Sequence, residues 1–408
     1  MTAPSPATPG HAHVPPSSAG LRRSIGAAIG RGLERITGGA IAPYQSAVLR
    51  IGLSLTWLAL LLREWVHRNE LYGPGSPWSW TMAHELIGTH QTLNALMWSD
   101  SRLWFEIVYV MAIAASVMLF LGWRTRTASL LFMAGVLALL NRNPYVGNAG
   151  EDVIHIMAIY LVFTRCGRVW SLDARRSAEG RGGGRDAVGI VMWVFLTAAL
   201  TLVTVLGKLG TGWAVLLWGF VVVQAAWWLV RRRAPGEPRT VMEMVGNVVH
   251  AGAILVIALQ VCLIYSASGW YKIQGSNWQD GTALYYPLHV AVYTPWPAVS
   301  HALASSSLIV LLLTYGTVLV EVAFPFTLFT TRVRTVMVLI MMSMHAGIGV
   351  LLGLPFFSMA MIAVDAIFLP TAVLRWTVDR VARAVPRARR GAQPQVAQEQ
   401  AEPVHDRA

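Results

Sequence analysis

Residues 244–269 read MVGNVVHAGAILVIALQVCLIYSASG, a long run without a single Asp, Glu, Lys or Arg. A helix needs about 20 mostly apolar residues to cross a bilayer, so this run predicts a transmembrane helix. Nine other runs in the chain have a similar character. The ten predicted spans cover roughly 44–62, 104–123, 127–141, 152–166, 187–207, 212–230, 244–269, 303–329, 335–353 and 356–374.

The composition of the whole chain agrees with a membrane protein. Of the 408 residues, 55% are hydrophobic and 13% are charged, and the mean hydropathy is +0.52. Soluble domains carry about a quarter charged residues, because they must cover a water-facing surface. We therefore expect an all-α integral membrane fold, a polytopic bundle of about ten transmembrane helices. A disordered chain, a collagen-like repeat and a disulfide scaffold are excluded.

The net charge of +12 indicates an orientation in the membrane. Arginines concentrate in the tail before the first span, in the connections after spans two, four, six and eight, and in the tail after span ten. By the positive-inside rule, both termini are predicted to be cytoplasmic in the plasma membrane. The arginines are expected to contact anionic lipid rather than nucleic acid. No signal peptide is expected, since the first 20 residues lack a short apolar core.

The spans and linkers divide the chain into five predicted parts. They are a disordered tail with an amphipathic interfacial helix (1–43), a first half of four spans (44–176), an inserted hairpin of two spans with Arg-rich linkers (177–243), a second half of four spans (244–374), and a basic, then polar, cytoplasmic tail (375–408). The interfacial helix is predicted at 21–36, where apolar residues recur at helical spacing opposite arginines.

An ionisable residue inside a span is costly, so it marks a candidate functional site. Lys272, one of only two lysines, lies just beyond the seventh span among Trp270, Tyr271 and Trp278. Partial desolvation there would disfavour its ammonium form, as in lysines that act as bases. The alternative is a lysine that extends to the lipid headgroups, as is common at span ends.

The other buried candidates also have two interpretations each. His345 is either functional or a core histidine bonded to a neighbouring helix. Glu321 lies mid-span, where an unpaired carboxylate is expensive, and Asp365 either pairs with it or faces a polar seam. Arg50 either clamps one of these acids or anchors the inner interface. Asp152 lies three residues before His155 on one helical face, a weak metal pair, and haem ligation by His155, His250 and His345 is a minor alternative.

Several short stretches carry a resemblance to a known family. They are Leu49-Arg50-Ile51-Gly52, Leu121-Gly122-Trp123-Arg124, Trp170-Ser171-Leu172-Asp173, and Tyr265 to Lys272 followed by Trp278 and Gly281. In these stretches, roughly within 44–176 and 244–370, the chain resembles the HTTM (horizontally transferred transmembrane) domain family. These proteins are bacterial relatives of the membrane part of vitamin K-dependent gamma-glutamyl carboxylase. Glu321 and His345 stand where the family has an acidic residue and a histidine in the next two spans.

The resemblance implies an enzyme that acts on a reduced menaquinone-type lipid, or vitamin K-like quinol, with no metal. In the carboxylase the matching lysine deprotonates the quinol, oxygen attacks, and the strong base so formed takes a glutamate γ-proton before carbon dioxide adds. Lys272 would be the base, with Glu321 and His345 as further catalytic residues. The predicted substrate-binding residues are Arg50, Asp152, Trp270, Tyr271 and Trp278.

Three departures from the carboxylase narrow this expectation. The large extra-membrane domain that docks the protein substrate has no counterpart, the hairpin 187–230 is an addition, and Gly150-Glu151-Asp152 stands in place of an Asn-Asn-His segment. We therefore expect quinol oxidation rather than protein carboxylation. The alternatives are a non-catalytic membrane partner in the maturation, immunity or export of a secreted peptide, and a small-solute transporter, although no clear inverted repeat is visible.

Overall fold

The computed structural model describes residues 18–90, 92–179, 187–234 and 236–384, which are helical and contain no β-strand. The α-helices are α1 (Ser18–Gly38), α2 (Pro43–Arg63), α3 (Arg68–Leu71), α4 (Trp80–His90), α5 (Arg102–Leu121), α6 (Thr125–Leu140), α7 (Ala149–Leu161), α8 (Leu172–Ala178), α9 (Ala187–Val205), α10 (Thr211–Arg233), α11 (Glu237–Gln274), α12 (Ser276–Gln279), α13 (Pro297–Ala304), α14 (Ser307–Ala323), α15 (Thr331–Leu351), α16 (Pro355–Asp365) and α17 (Thr371–Ala384). Short 3-10 helices cover Ala95–Trp98, Ala283–Tyr285, Pro287–His289, Ala291–Tyr293, Phe324–Thr327 and Ala366–Phe368.

Every predicted span coincides with a helix, and the all-α class is confirmed. Among the described residues, seven helical segments are long and apolar enough to cross a membrane: α2, α5, α9, α10, α11, α14 with its 3-10 extension, and α15. α6 and α16 are shorter apolar helices. α7 has 13 residues, about 20 Å of helix, which is less than the thickness of a hydrocarbon core. The count of ten crossings therefore stays a prediction.

The core forms around α2, which packs against α5, α7 and α16. Small residues let these helices approach closely, as is usual for helices in membranes. At Gly52 of α2, an added Cβ would lie 2.4 Å from the Cβ of Ala363 on α16. Trp57 is fully buried in the same core, and the Tyr109 hydroxyl donates a 2.7 Å hydrogen bond to the Leu61 carbonyl, which ties α5 to the end of α2.

The hairpin of α9 and α10 lies at the edge of this bundle. Neither helix has a buried residue, and α10 contacts the bundle through α11. A lipid-facing position explains why these helices are apolar on all sides. The structure leaves open whether the hairpin is an insertion.

α1 includes the predicted interfacial helix 21–36 and packs along α11. The Asn247 side chain donates a 2.8 Å hydrogen bond to the Thr37 carbonyl at the end of α1. Ile29 and Leu33, on the predicted apolar face, are exposed. An uncovered apolar face is what a helix at a membrane surface would present.

Two predicted linkers are shorter in the structure. Residues 231–243 are mostly helical, because α10 continues through its three arginines and α11 starts at Glu237, with Pro238 in its first turn, where proline is favoured. Residues 177–178 of the predicted linker 177–186 belong to α8, while 180–186 lie outside the described residues. The predicted disordered ends, 1–17 and 385–408, also lie outside them.

Short helices occupy the two long connections of the chain. The connection after α2 holds α3, α4 and Ala95–Trp98, and the connection after α11 holds α12, three 3-10 helices and α13. Arg142 anchors the first of these connections through hydrogen bonds to the carbonyls of Trp78 and Gly73.

Arg50 is fully buried, and each of its three guanidinium nitrogens donates to backbone carbonyls. Its acceptors are the carbonyls of Leu119, Phe120, Cys166 and Trp170, at 2.5 to 3.2 Å. Leu119 and Phe120 end α5, where helix carbonyls have no partner within the helix. Arg50 therefore joins the end of α5 to the chain that follows α7, and no acid is clamped by it.

The segments around Arg50 are fitted closely to it. Gly122 has a left-handed φ of 67°, and an added Cβ there would lie 2.3 Å from Ser171 and 2.9 Å from the Arg50 guanidinium. The Asp173 carboxylate accepts hydrogen bonds from the backbone N–H groups of Arg124 and Thr125, at 2.8 and 2.7 Å, and so caps α6. The three resembling stretches of the first half therefore meet at one place, where their role is structural.

Replacement of Arg50 by lysine should destabilise the fold. A lysine ammonium cannot reach four carbonyls on separate segments, so we expect a loss of about 2–4 kcal/mol in the free energy of unfolding. Arg102, exposed at the start of α5, offers a matched control, and Arg102→Lys should change stability by less than about 0.5 kcal/mol. Thermal unfolding in detergent measures both. An Arg50→Lys protein as stable as the wild type would contradict this account.

Candidate functional site

The site is built on one face of α11, which carries Tyr265, Ser268 and Lys272. Residues three, four and seven apart lie above one another on a helix, so these side chains form a polar row. The row faces α14, α15 and α16, because the partners of these side chains lie on those helices. Trp270 and Tyr271, between Ser268 and Lys272 in sequence, point away from it.

Lys272 pairs with Glu321 of α14. The ammonium donates to both carboxylate oxygens at 2.5 Å, and also to the Ser268 hydroxyl at 2.9 Å. It lies 5.2 Å from the centre of the Trp278 ring, within the range of a cation–π contact. The Lys272 and Glu321 side chains are only 18% and 6% exposed, so water screens the pair poorly. Lys272 therefore points into the protein, and the alternative of a headgroup-facing lysine is wrong.

Glu321 lies near the end of α14, where α14 packs closely against α11. It lies 14 residues after the start of α14, about 21 Å along the helix axis. α11 and α14 can approach closely here because Gly269 faces Val322, where an added Cβ would lie 2.8 Å from a Val322 methyl group. Removing one member of a buried pair leaves an uncompensated charge, which costs about 3–5 kcal/mol.

A second cluster of polar side chains lies around Tyr265, about two helical turns before Lys272 on α11. Its hydroxyl donates a 2.7 Å hydrogen bond to Asp365 at the end of α16 and lies 3.1 Å from Nε2 of His345 on α15. All three side chains are buried. Phe324 and Phe357 pack against the Tyr265 and His345 rings, with centroids 4.8 and 5.4 Å apart. Asp365 therefore pairs with Tyr265 rather than with Glu321.

The two groups are close enough for their charges to interact. The Lys272 ammonium lies within electrostatic range of His345, and Glu321 lies within range of Tyr265. We call Tyr265, Lys272, Glu321, His345 and Asp365 the buried polar network. It joins four helices and contains the three predicted catalytic residues, Lys272, Glu321 and His345.

Hydrogen bonding in the network is incomplete. Nδ1 of His345, Oδ2 of Asp365 and the Ser358 hydroxyl are buried and have no partner within the described structure. Ser358 lies about two helical turns before Asp365 on α16, and its side chain faces Gly349 of α15. Each unpaired buried polar atom costs about 1–3 kcal/mol, so such atoms suit a bound water or the polar group of a ligand.

A cavity of about 380 Å³, open to the surface, lies next to Trp278. It is lined by Gly275, Ser276, Asn277, Trp278, Ala283, Leu284, Tyr286 and Pro287, all from the connection after α11. Its volume lies at the lower end of the range for ligand pockets. Trp278 lines the cavity and also contacts Lys272, whereas Lys272, Glu321 and His345 do not line it.

The other predicted substrate-binding residues lie apart from the network. Trp270 and Tyr271 are 62% and 75% exposed on the outer faces of α11. Asp152 is exposed in the first turn of α7, next to a capping box formed by Asn148 and Glu151. Arg50 is occupied by backbone carbonyls. Of the five predicted substrate-binding residues, only Trp278 contacts the network.

The histidines do not support the haem alternative. Both ring nitrogens of His250 are occupied, since Nδ1 accepts from the Arg165 N–H at 3.0 Å and Nε2 lies 2.7 Å from the Ile41 carbonyl. Among the described residues, no three His, Cys, Asp or Glu side chains are grouped as metal ligands. His155 is half-buried on α7 and belongs to no such group.

Sequence reasoning missed two parts of the site. Ser268 was not singled out, although its position four residues before Lys272 places it on the same helical face. Tyr265 was noted only as part of a motif, and its bonds to Asp365 and His345 were not foreseen. The seven-residue spacing of Tyr265 and Lys272 was the available signal for a shared face.

Comparison of the chain with known proteins found no match. No family model matches the chain, and no curated protein or solved structure matches it either. The HTTM resemblance therefore stays a prediction, and the geometry carries the functional argument.

The two lysines of the chain should differ sharply in reactivity. The Lys272 amine is only 18% exposed and donates to Glu321 and Ser268, whereas Lys208 is exposed between α9 and α10. We expect acetylation of Lys208 first and little acetylation of Lys272, as followed by peptide mass spectrometry of the detergent-purified protein. Glu321→Gln should accelerate the modification of Lys272, because the amine loses the carboxylate that holds its N–H groups. Equal labelling of both lysines in the wild type would rule out the pair.

Proposed function

We propose that the protein is a multi-pass plasma-membrane protein with ten crossings and both termini in the cytoplasm. The arginine-rich connections at the ends of α5, α7 and α10 support this orientation, as do those after α14 and α16. α7 and α16 are short for membrane helices, yet both pack inside the bundle against α2. In this proposal the protein is a bacterial relative of the HTTM family.

We further propose that the protein oxidises a reduced menaquinone-type lipid, with Lys272 as the base. The observation that carries this proposal is the buried lysine–carboxylate pair, which contacts Trp278 on the wall of an open cavity. A lipid-soluble substrate would reach such a cavity from the bilayer. Trp278 and Tyr286 offer ring faces to an aromatic headgroup, and the isoprenoid tail would remain among the lipids.

A protonated lysine cannot act as a base. In this proposal, Glu321 first accepts the proton of Lys272. A proton shift from Lys272 to Glu321 would yield a neutral amine and a neutral carboxylic acid, which suits a poorly screened site. The amine would then take the proton of a quinol hydroxyl, leaving the quinol anion beside the restored ammonium. The proton count balances, since one proton has moved from the quinol to Glu321.

Dioxygen is the electron acceptor in this proposal. The quinol would give up two electrons and two protons, and quinone and hydrogen peroxide would form. The Tyr265–His345–Asp365 part of the network would stabilise the developing anion or accept the second proton, because His345 has a ring nitrogen without a partner in the described structure. Protein carboxylation is not part of the proposal.

The runner-up function is a non-catalytic partner for a secreted peptide. The observation that favours it is a group of exposed aromatic and apolar side chains on the connection after α11. Tyr285, Tyr286, Val292, Tyr293 and Trp296 are all exposed there. Aromatic side chains are common at protein–protein contacts, but they also suit the membrane interface.

The test compares quinol consumption under oxygen by the wild type and by Lys272→Arg. Arginine can keep the ion pair with Glu321, yet it stays protonated at physiological pH and cannot act as the base. Since general-base catalysis contributes about 10²–10⁴-fold, we expect Lys272→Arg to be slower by at least about 100-fold. The assay uses the purified full chain with a water-soluble reduced naphthoquinone.

Lys208→Arg is the matched control, because it makes the same replacement at the only other lysine. It should leave the rate unchanged. Equal rates for the wild type and Lys272→Arg would reject the base role, as would a wild-type rate no higher than that of buffer alone. The latter result would favour the peptide partner.

A further inference from the structure

Three arginines and one carboxylate meet where α6 and α11 begin and α10 ends. Arg126 lies in the first turn of α6, Arg165 and Arg168 follow α7, and Glu243 lies on α11. We call these four residues the arginine cluster. It lies far from the buried polar network, because Glu243 precedes Lys272 by 29 residues, about 43 Å of helix.

Glu243 is already shared by two of the arginines. Its Oε2 atom lies 2.7 Å from Arg165 and 2.9 Å from Arg168. Arg165 is further fixed by a 2.5 Å hydrogen bond to the Asn247 side chain. One carboxylate therefore neutralises one of two guanidinium groups, and a positive charge remains before Arg126 is counted.

With Arg126, the cluster holds three arginines and one carboxylate. Its guanidinium lies 4.6 Å from the ring centre of Trp227 on α10, and the Arg165 guanidinium lies 5.9 Å from the same ring. Within the described ranges, no carboxylate lies at salt-bridge distance from Arg126, although the charge of Glu243 attracts it. A stacked guanidinium keeps its N–H edges available, and these edges match the oxygens of a phosphate in a bidentate manner.

Like charges this close need an anion nearby, particularly beside apolar helices. The ends of α6 and α10 place the cluster at the membrane boundary, where the phosphates of anionic lipids are the most abundant anions. The cluster also lies where α10 packs against the bundle through few protein contacts, since neither α9 nor α10 has a buried residue. An anion held there would link α10 to α6.

We propose that the arginine cluster binds the phosphate of an anionic phospholipid. Arg126 and Arg168 would donate to the phosphate oxygens, Arg165 and Glu243 would hold Arg168 in place, and Trp227 would orient Arg126. The acyl chains would lie along α10, whose surface is apolar on all sides. This site is independent of the quinol proposal and serves to join the hairpin of α9 and α10 to the bundle.

The test measures lipid binding by the delipidated full chain in detergent. The probes are phosphatidylglycerol, phosphatidylcholine and inorganic phosphate, followed by native mass spectrometry and by the shift in unfolding temperature. We expect selective retention of phosphatidylglycerol. Each arginine near a membrane surface contributes about fivefold to such binding, so Arg126→Gln and Arg168→Gln should each weaken it by about that factor.

Arg332→Gln is the matched control, because Arg332 is exposed at the start of α15, at the same end of the bundle. It should leave retention unchanged. The proposal is overturned if Arg332→Gln weakens binding as much as the cluster variants do, which would indicate a diffuse surface charge. It is also overturned if phosphatidylcholine is retained equally well, or if inorganic phosphate stabilises the protein as much as the lipid does.

Discussion

The ion pair between Lys272 and Glu321 constrains how the helices around it pack. Both charges lie on helices that pack inside the bundle, and neither can be left alone without a large cost in free energy. The pair therefore fixes how α11 meets α14, and Gly269 makes the required approach possible. The rest of the site follows from this contact, because the face of α11 that carries Lys272 also carries Ser268 and Tyr265. Tyr265 then brings α15 and α16 into the same network.

Arg50 and the buried polar network differ in how their polar atoms are used. Arg50 holds segments of the fold together, whereas the network has polar atoms that a ligand could bind. Each guanidinium nitrogen of Arg50 donates to a backbone carbonyl, and the segments it joins are fitted to it through Gly122 and Asp173. The guanidinium is fully buried among these segments. In the network, His345 and Asp365 each keep a buried atom without a partner among the described residues, and Lys272 adjoins a cavity through Trp278. A site that acts on a ligand needs such unused hydrogen-bonding capacity, and a purely structural cluster does not.

Much of the fold was predictable because hydropathy is a local property of the sequence. The ten apolar runs correspond to helices, and the boundaries of α2 and α9 differ from the predicted ones by at most two residues. Membrane length was harder to predict, since α7 and α16 end earlier than their apolar runs. The apolar pattern alone does not show where a helix gives way to a turn such as Ala366–Phe368.

Individual residues of the site could be predicted from the sequence. Which of them form hydrogen bonds or ion pairs with each other could not. The cost of a charge inside a span singled out Lys272, Glu321, His345 and Asp365. Which acid meets which base depends on how distant helices pack, and Lys272 and Glu321 are 49 positions apart in sequence. The positions of the aromatic residues near Lys272 were not predictable for the same reason. Trp270 and Tyr271 are neighbours in sequence, yet the helix turns them outward, whereas Trp278 returns to the lysine after the helix has ended.

A double-mutant cycle on the ion pair tests the central claim most directly. Lys272→Met and Glu321→Met would be made singly and together, and the free energy of unfolding measured in detergent for all four proteins. The account predicts that each single variant loses about 3–5 kcal/mol, because it leaves one buried charge unpaired, while the double variant recovers most of that stability. The recovered double variant should still fail to oxidise quinol, since it has no base. Single variants as stable as the wild type, with no coupling between the two positions, would contradict the account.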